Sequence, residues 1–270
     1  MSGTILENLD PRKGSPSPRL AEDEFERRFL NQFQDRAFES LGEELARIAD
    51  AAWDVLDLSR LASEYGRQIH PCKACFSTAA ALCHWPCSCY PNYSLGQTLD
   101  WMNEIYPLWV ETHEILIVTP VNWYQTSSPL KLMIDRLVCA DGGNPEPTTT
   151  HDKQAKEAKK LKGWDYPRHL EGRLFSVIVH CDTEGAENVR RSVSDWLKSM
   201  ELVPVGVRAE VDRYIGYWEP YATNHVAYEK DAGFQEEVKV AARTLYDAVA
   251  ATRTGQQVAA GTGLKSPREK

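Results

Sequence analysis

The chain has 270 residues, enough for one substantial core, and its 42% hydrophobic and 26% charged content is ordinary for a globular protein in water. Its net charge of −8 comes with no strongly basic face in the sequence, which argues against nucleic acid as a principal partner. No apolar run is long enough to cross a bilayer and no charged leader precedes an apolar block. The expected location is therefore cytoplasmic, where the seven cysteines are thiols or metal ligands in preference to disulfides.

Thr4 to Leu6 reads as a first short strand. Leu9 to Leu20, LDPRKGSPSPRL, places Arg12, Lys13, Ser15 and Ser17 just before a helix, where cations, hydroxyls and a helix N-terminus together favour an anion. Ala21 to Ala52 reads as helix, with a break expected near Gln34 to Phe38 because the apolar phase changes there. Val55 to Leu58 makes a second strand. The thiol-rich stretch Pro71 to Asn92 follows, and then a helix with Leu99, Met102, Ile105 and Trp109 as its buried stripe, which Pro107 is expected to kink.

Ile115 to Val118 is an unbroken apolar run, β-branched at three of four positions, which suits a strand covered on both faces. Pro120 has no N–H for a ladder and is expected to end it. A polar and aromatic loop runs from Val121 to Ser128. Pro129 then opens a helix whose inner stripe is Leu130, Ile134 and Leu137. From Ala140 to Gly172 no apolar period survives, and the stretch reads as a long inserted loop, either a solvated face or a lid. Leu174 to Val179 is the fourth strand, Ala186 to Met200 a helix, Leu202 to Val207 the last strand and Phe234 to Ala251 the last helix. An aromatic loop with Tyr214, Tyr217, Trp218 and Tyr221 lies between those two.

Strands alternating with helices imply an α/β protein, a doubly wound five-stranded parallel sheet in one domain over 1–253, with the loop inserted at about 140–172 and a disordered tail over 254–270. Three loops should meet at the carboxyl edge, where open α/β sheets bind ligands. They are Asp10 to Ser17, Pro120 to Ser128, and His180 to Glu187.

The run TPVNWYQTSSPLKLMIDR, Thr119 to Arg136, resembles a signature of the flavodoxin-like NAD(P)H-dependent FMN reductases: a strand, Pro-Val-Tyr-Trp or similar, a Ser-containing turn, and a helix reading Leu-Lys-x-x-x-Asp-Arg. The resemblance, with right-handed crossovers, implies the flavodoxin-like order 2-1-3-4-5. It implies FMN with its phosphate near Arg12, Lys13, Ser15 and Ser17. The ring would lie along Pro120, Val121, Asn122, Trp123, Tyr124 and Ser127, with His180 and Asp182 in the loop closing its far side. NAD(P)H would be the co-substrate, a flavin, quinone or similar small molecule the electron acceptor, and a homodimer or homotetramer the assembly. Leu9-Asp10 departs from the family's Gly-Ser and adds a carboxylate beside the phosphate. The plain alternative is an ordinary βα loop whose Trp123 and Tyr124 cap a core.

Flavin chemistry asks little of side chains, so no catalytic residue is assigned; His180 reads either as a proton donor or as a structural histidine. Cys72, Cys75, Cys83, Cys87 and Cys89 resemble the cluster region of iron–sulfur flavoproteins, but Thr78 stands where the compact motif needs a thiolate. No intact four-cysteine cluster is expected there, and no metal ligand is assigned. Two rival functions stay open: a flavin electron carrier, with or without a cluster, and a flavodoxin-like domain that has lost FMN.

Overall fold

In a computed structural model, the structure describes residues 3–7, 53–58, 61, 67–73, 100–137, 169–181, 184–215, 226–227 and 230–256. The helix expected over Ala21 to Ala52, the cysteines after Cys72 as far as Cys139, most of the inserted loop, Tyr217, Trp218, Tyr221 and the end of the tail lie outside these residues. The elements are β1 (Gly3–Glu7), β2 (Trp53–Asp57), α1 (Met102–Glu111), β3 (Glu114–Asn122), β4 (Gln125–Thr126) and α2 (Ser128–Arg136). They continue with β5 (Leu174–Cys181), α3 (Ala186–Ser199), β6 (Val203–Pro204), β7 (Glu210–Tyr214) and α4 (Ala232–Arg253).

The protein is α/β with a mixed sheet. The strand path is β2-β1-β3-β5-β6, with β7 also on β5 and β4 on β3. β3 and β5 run parallel from Glu114↔Leu174 to Pro120↔His180, and β6 and β7 are each parallel to β5. The expectation of an all-parallel sheet is corrected at β1, which is antiparallel to both β2 and β3. An apolar run reports burial, not direction. The handedness rule constrains a strand through a crossover from a preceding strand, and none of the described strands precedes β1.

Two other expectations change. β3 continues through Pro120 to Asn122. Its pairing with β1 ends at Val118, so beyond that point one side of the ladder asks for no donor and the missing N–H of Pro120 costs little. The last strand, expected over Leu202 to Val207, is two pieces, split where Gly206 takes φ 123° and Val207–Ala209 forms a 3-10 turn. Pairing with β5 then resumes along Glu210–Tyr214, a polar segment whose composition hides a strand.

Both faces of the sheet are covered. Ile115, Ile117, Phe175, Val177 and Val179 join one cluster with Met102, Ile105 and Trp109 of α1, Leu130 and Met133 of α2, and Val189, Val193 and Leu197 of α3. Trp196 of α3 packs at a tilt on Trp109, ring centres 5.7 Å apart. On the other face Leu116, Val118, Ile178 and Val211 meet Phe234, Val238, Ala241 and Leu245 of α4. Asp231 caps α4 by accepting a 2.8 Å bond from the Phe234 N–H. The alternation of β5 between the two clusters is the period-2 rule of a strand under helices on both sides.

Candidate functional site

The expected aromatic loop is a hairpin. β3 and β4 pair antiparallel at Val121↔Thr126 and Asn122↔Gln125, leaving Trp123 and Tyr124 as a two-residue turn. Both have positive φ, 47° and 63°, the backbone of a type I′ turn, which Asn-Gly normally occupies. For side chains with a Cβ the left-handed region costs about 1–2 kcal/mol per residue. Burial does not offset that cost: Trp123 is 94% exposed and Tyr124 50%. The plain reading, in which these rings cap a core, is corrected by this exposure. A strained turn presenting bare aromatic rings is the kind of outlier that argues for use.

Around it, Pro120 and Val121 are half-buried and Asn122 is exposed, with Val121 packed on the core shared by α1, α2 and α3. Ser127 is buried, and its carbonyl accepts a 3.0 Å bond from the Lys131 N–H, starting α2. His180 is buried at the carboxyl end of β5, in register between Pro120 and Arg213. Burial lowers its pKa to about 4, so it is a neutral imidazole at neutral pH and holds no acidic proton to give. Arg12, Lys13, Ser15, Ser17 and Asp182 lie outside the described residues.

Composition did not reveal three further features. Gly185, before α3, lies directly under the hairpin; a β-carbon built on it would stand 3.1 Å from the Tyr124 Cα and 3.2 Å from Val121 Cγ1. Tyr214, expected in an aromatic loop, instead ends β7 opposite Cys181, 47% exposed and on the same edge. β7 is held from both faces: Arg190 of α3 reaches Asp212 and, at 3.2 Å, Glu210, which also accepts from Ser194 at 2.7 Å, while Arg213 grips Glu237 of α4.

The Asp-Arg pair ending the Thr119–Arg136 motif has a structural role. Lys131 and Asp135 pair along the surface of α2. Arg136 points inward to a fully buried ion pair with Asp100 at 2.6 Å, and donates at 2.9 Å to the carbonyl of His70. The two ends of the stretch 71–99, which carries the clustered cysteines, thus meet at one guanidinium. Among the described residues Cys72 and Cys181 form no disulfide, and no group of three or more His, Cys, Asp or Glu side chains is arranged to hold a metal. A cleft of about 230 Å³ at the opposite, amino edge is lined by Glu111, His113, Glu171, Arg173 and Arg253. Its position is against it as a primary site, since open α/β sheets bind at the carboxyl edge.

Fold and site together define an open α/β-sheet protein with an aromatic hairpin at its carboxyl edge. No family model matches the chain, and no curated protein does. Among solved structures, RosB with a bound intermediate, 8-demethyl-8-formylriboflavin-5'-phosphate, aligns at TM-score 0.42 and 13% identity, over 63% of this chain and 60% of that one. The chain therefore spans less than two thirds of that protein, and a likeness this distant defines neither ligand nor activity. Among the described residues no helix is long and apolar enough to cross a membrane.

Proposed function

We propose that this chain is an FMN-binding oxidoreductase that takes hydride from NAD(P)H and passes electrons to a small acceptor such as a flavin or a quinone. The observation that carries the reading is the hairpin: Trp123 and Tyr124, held in left-handed backbone at the carboxyl edge, offer exposed ring faces to a planar aromatic ligand. FMN, when bound, supplies the hydride-accepting ring. The chain's part is to seat that ring along Pro120 to Tyr124 and, through Arg12, Lys13, Ser15 and Ser17, to neutralise the phosphate. Asp182 belongs to the loop on the ring's far side, and buried, neutral His180 supports the strand end beneath it. The path β2-β1-β3-β5-β6 supports a flavodoxin-like order 2-1-3-4-5, with the reversed β1 as this chain's own variation. The same reading carries a cytoplasmic location and a homodimer or homotetramer.

A second reading, a domain that has lost FMN, is favoured by one observation, Leu9-Asp10 in place of Gly-Ser. Absorption of the purified protein after incubation with FMN and removal of free flavin decides between them. The two flavin bands, bleached by NADH or NADPH under anaerobic conditions, are expected. A colourless protein selects the second reading, and bound flavin that neither nucleotide bleaches selects the electron carrier.

A further inference from the structure

We infer that Gly185 is the seat of the aromatic hairpin, a positioning residue that fixes where Trp123 and Tyr124 present their rings. The hairpin cannot hold its own shape. Its ladder is two residue pairs long, too short to enforce a turn that two side chains with a Cβ disfavour. Relaxing to an ordinary right-handed turn would splay β4 from β3 and swing both rings away. Support must come from outside the hairpin, and among the described residues Gly185 is one point that provides it. Gly185 has φ 117° and lies under the turn, so that its missing side chain leaves room for the main chain of Tyr124 and the Cγ1 methyl of Val121.

That seat is itself anchored. The Gly185 carbonyl accepts from the Val189 N–H at 3.0 Å, starting α3. α3 is fixed in turn by buried Val189, Val193 and Leu197 and by the tie from Arg190 to Glu210 and Asp212. The hairpin thus rests on a rigid element, as precise placement of a binding group requires.

Any L side chain at position 185 would introduce two faults: backbone strain at φ 117°, and contacts with the hairpin so close that it must give way by a few tenths of an ångström. Gly206 separates them, because it has nearly the same φ, 123°, with nothing within 4 Å of a built β-carbon. Gly185→Ala and Gly206→Ala therefore share the strain, and only the first touches the hairpin.

The test labels the full chain with 5-fluorotryptophan and follows the fluorine NMR signal of Trp123, assigned by its loss in Trp123→Phe. Gly185→Ala is expected to move the Trp123 signal while Gly206→Ala leaves it in place. Should Gly185→Ala not fold, Val121→Ala removes a methyl from the same contact and is expected to move the signal too. A Trp123 signal at its wild-type position in the folded Gly185→Ala protein, or in Val121→Ala where that variant is read instead, overturns the inference. So does an equal displacement in Gly206→Ala. A second arm rests on the flavin reading: FMN affinity should fall about tenfold in Gly185→Ala and stay unchanged in Gly206→Ala. Wild-type protein that binds no FMN defeats that reading alone, and the NMR arm still decides the seat.

Discussion

At the scale of single residues, His180 shows how position decides chemistry. A histidine at a strand end beside a proposed ligand loop invites a catalytic reading, yet burial holds its pKa near 4, against 6.5 for the free side chain. The unfolded chain therefore binds a proton between pH 6.5 and 4 that the folded one refuses. The contribution to stability is fully present above about pH 6.5 and is lost as the pH falls toward 4, in all roughly 3 kcal/mol. Thermal unfolding of wild type against His180→Gln across pH 4 to 7 checks this. The wild-type Tm should fall more steeply over that interval, and parallel slopes would show that His180 does not set this pH dependence. Trp123 carries the opposite lesson. Its presence in the Pro-Val-Asn-Trp-Tyr run was legible, but its left-handed backbone was not, because turn rules point to Asn and Gly there and give an aromatic pair no signal.

At the scale of elements, apolar periodicity located what it governs. The stripe expected for α1 is buried at Met102, Ile105 and Trp109, and that of α2 at Leu130 and Leu137, with Ile134 half-buried. Periodicity failed where electrostatics replace hydrophobic pattern. β7 reads Glu-Val-Asp-Arg-Tyr and becomes a strand because Arg190 and Glu237 answer its charges from the flanking helices. The direction of β1 was equally illegible, since no composition encodes it. Arg136 is the sharpest case: the motif showed an Arg without its partner, 36 residues away at Asp100. Arg136→Leu leaves the Asp100 carboxylate buried without its cation and should cost about 3–5 kcal/mol in urea denaturation. Arg136→Leu with Asp100→Leu should recover much of that. A loss below 1 kcal/mol in the single variant would show that the pair does not hold this neck of the fold.

At the scale of the whole molecule, the layered α/β plan and the convergence of two expected loops at one sheet edge were readable in the sequence, because both follow from burial and from where strands end. The contact between those loops was not, since it rests on the absence of a side chain at Gly185. The proposed role of the hairpin tip is that of a platform for flavin. Equilibrium titration with FMN, followed by flavin fluorescence in wild type and in Trp123→Ala, tests it most directly. Trp123 is almost wholly exposed, so its removal leaves the core intact and Tm should not move. Saturable quenching in wild type, weakened about tenfold in Trp123→Ala, is the predicted result. No saturable binding at high micromolar FMN, or equal affinity in the two proteins, would contradict it.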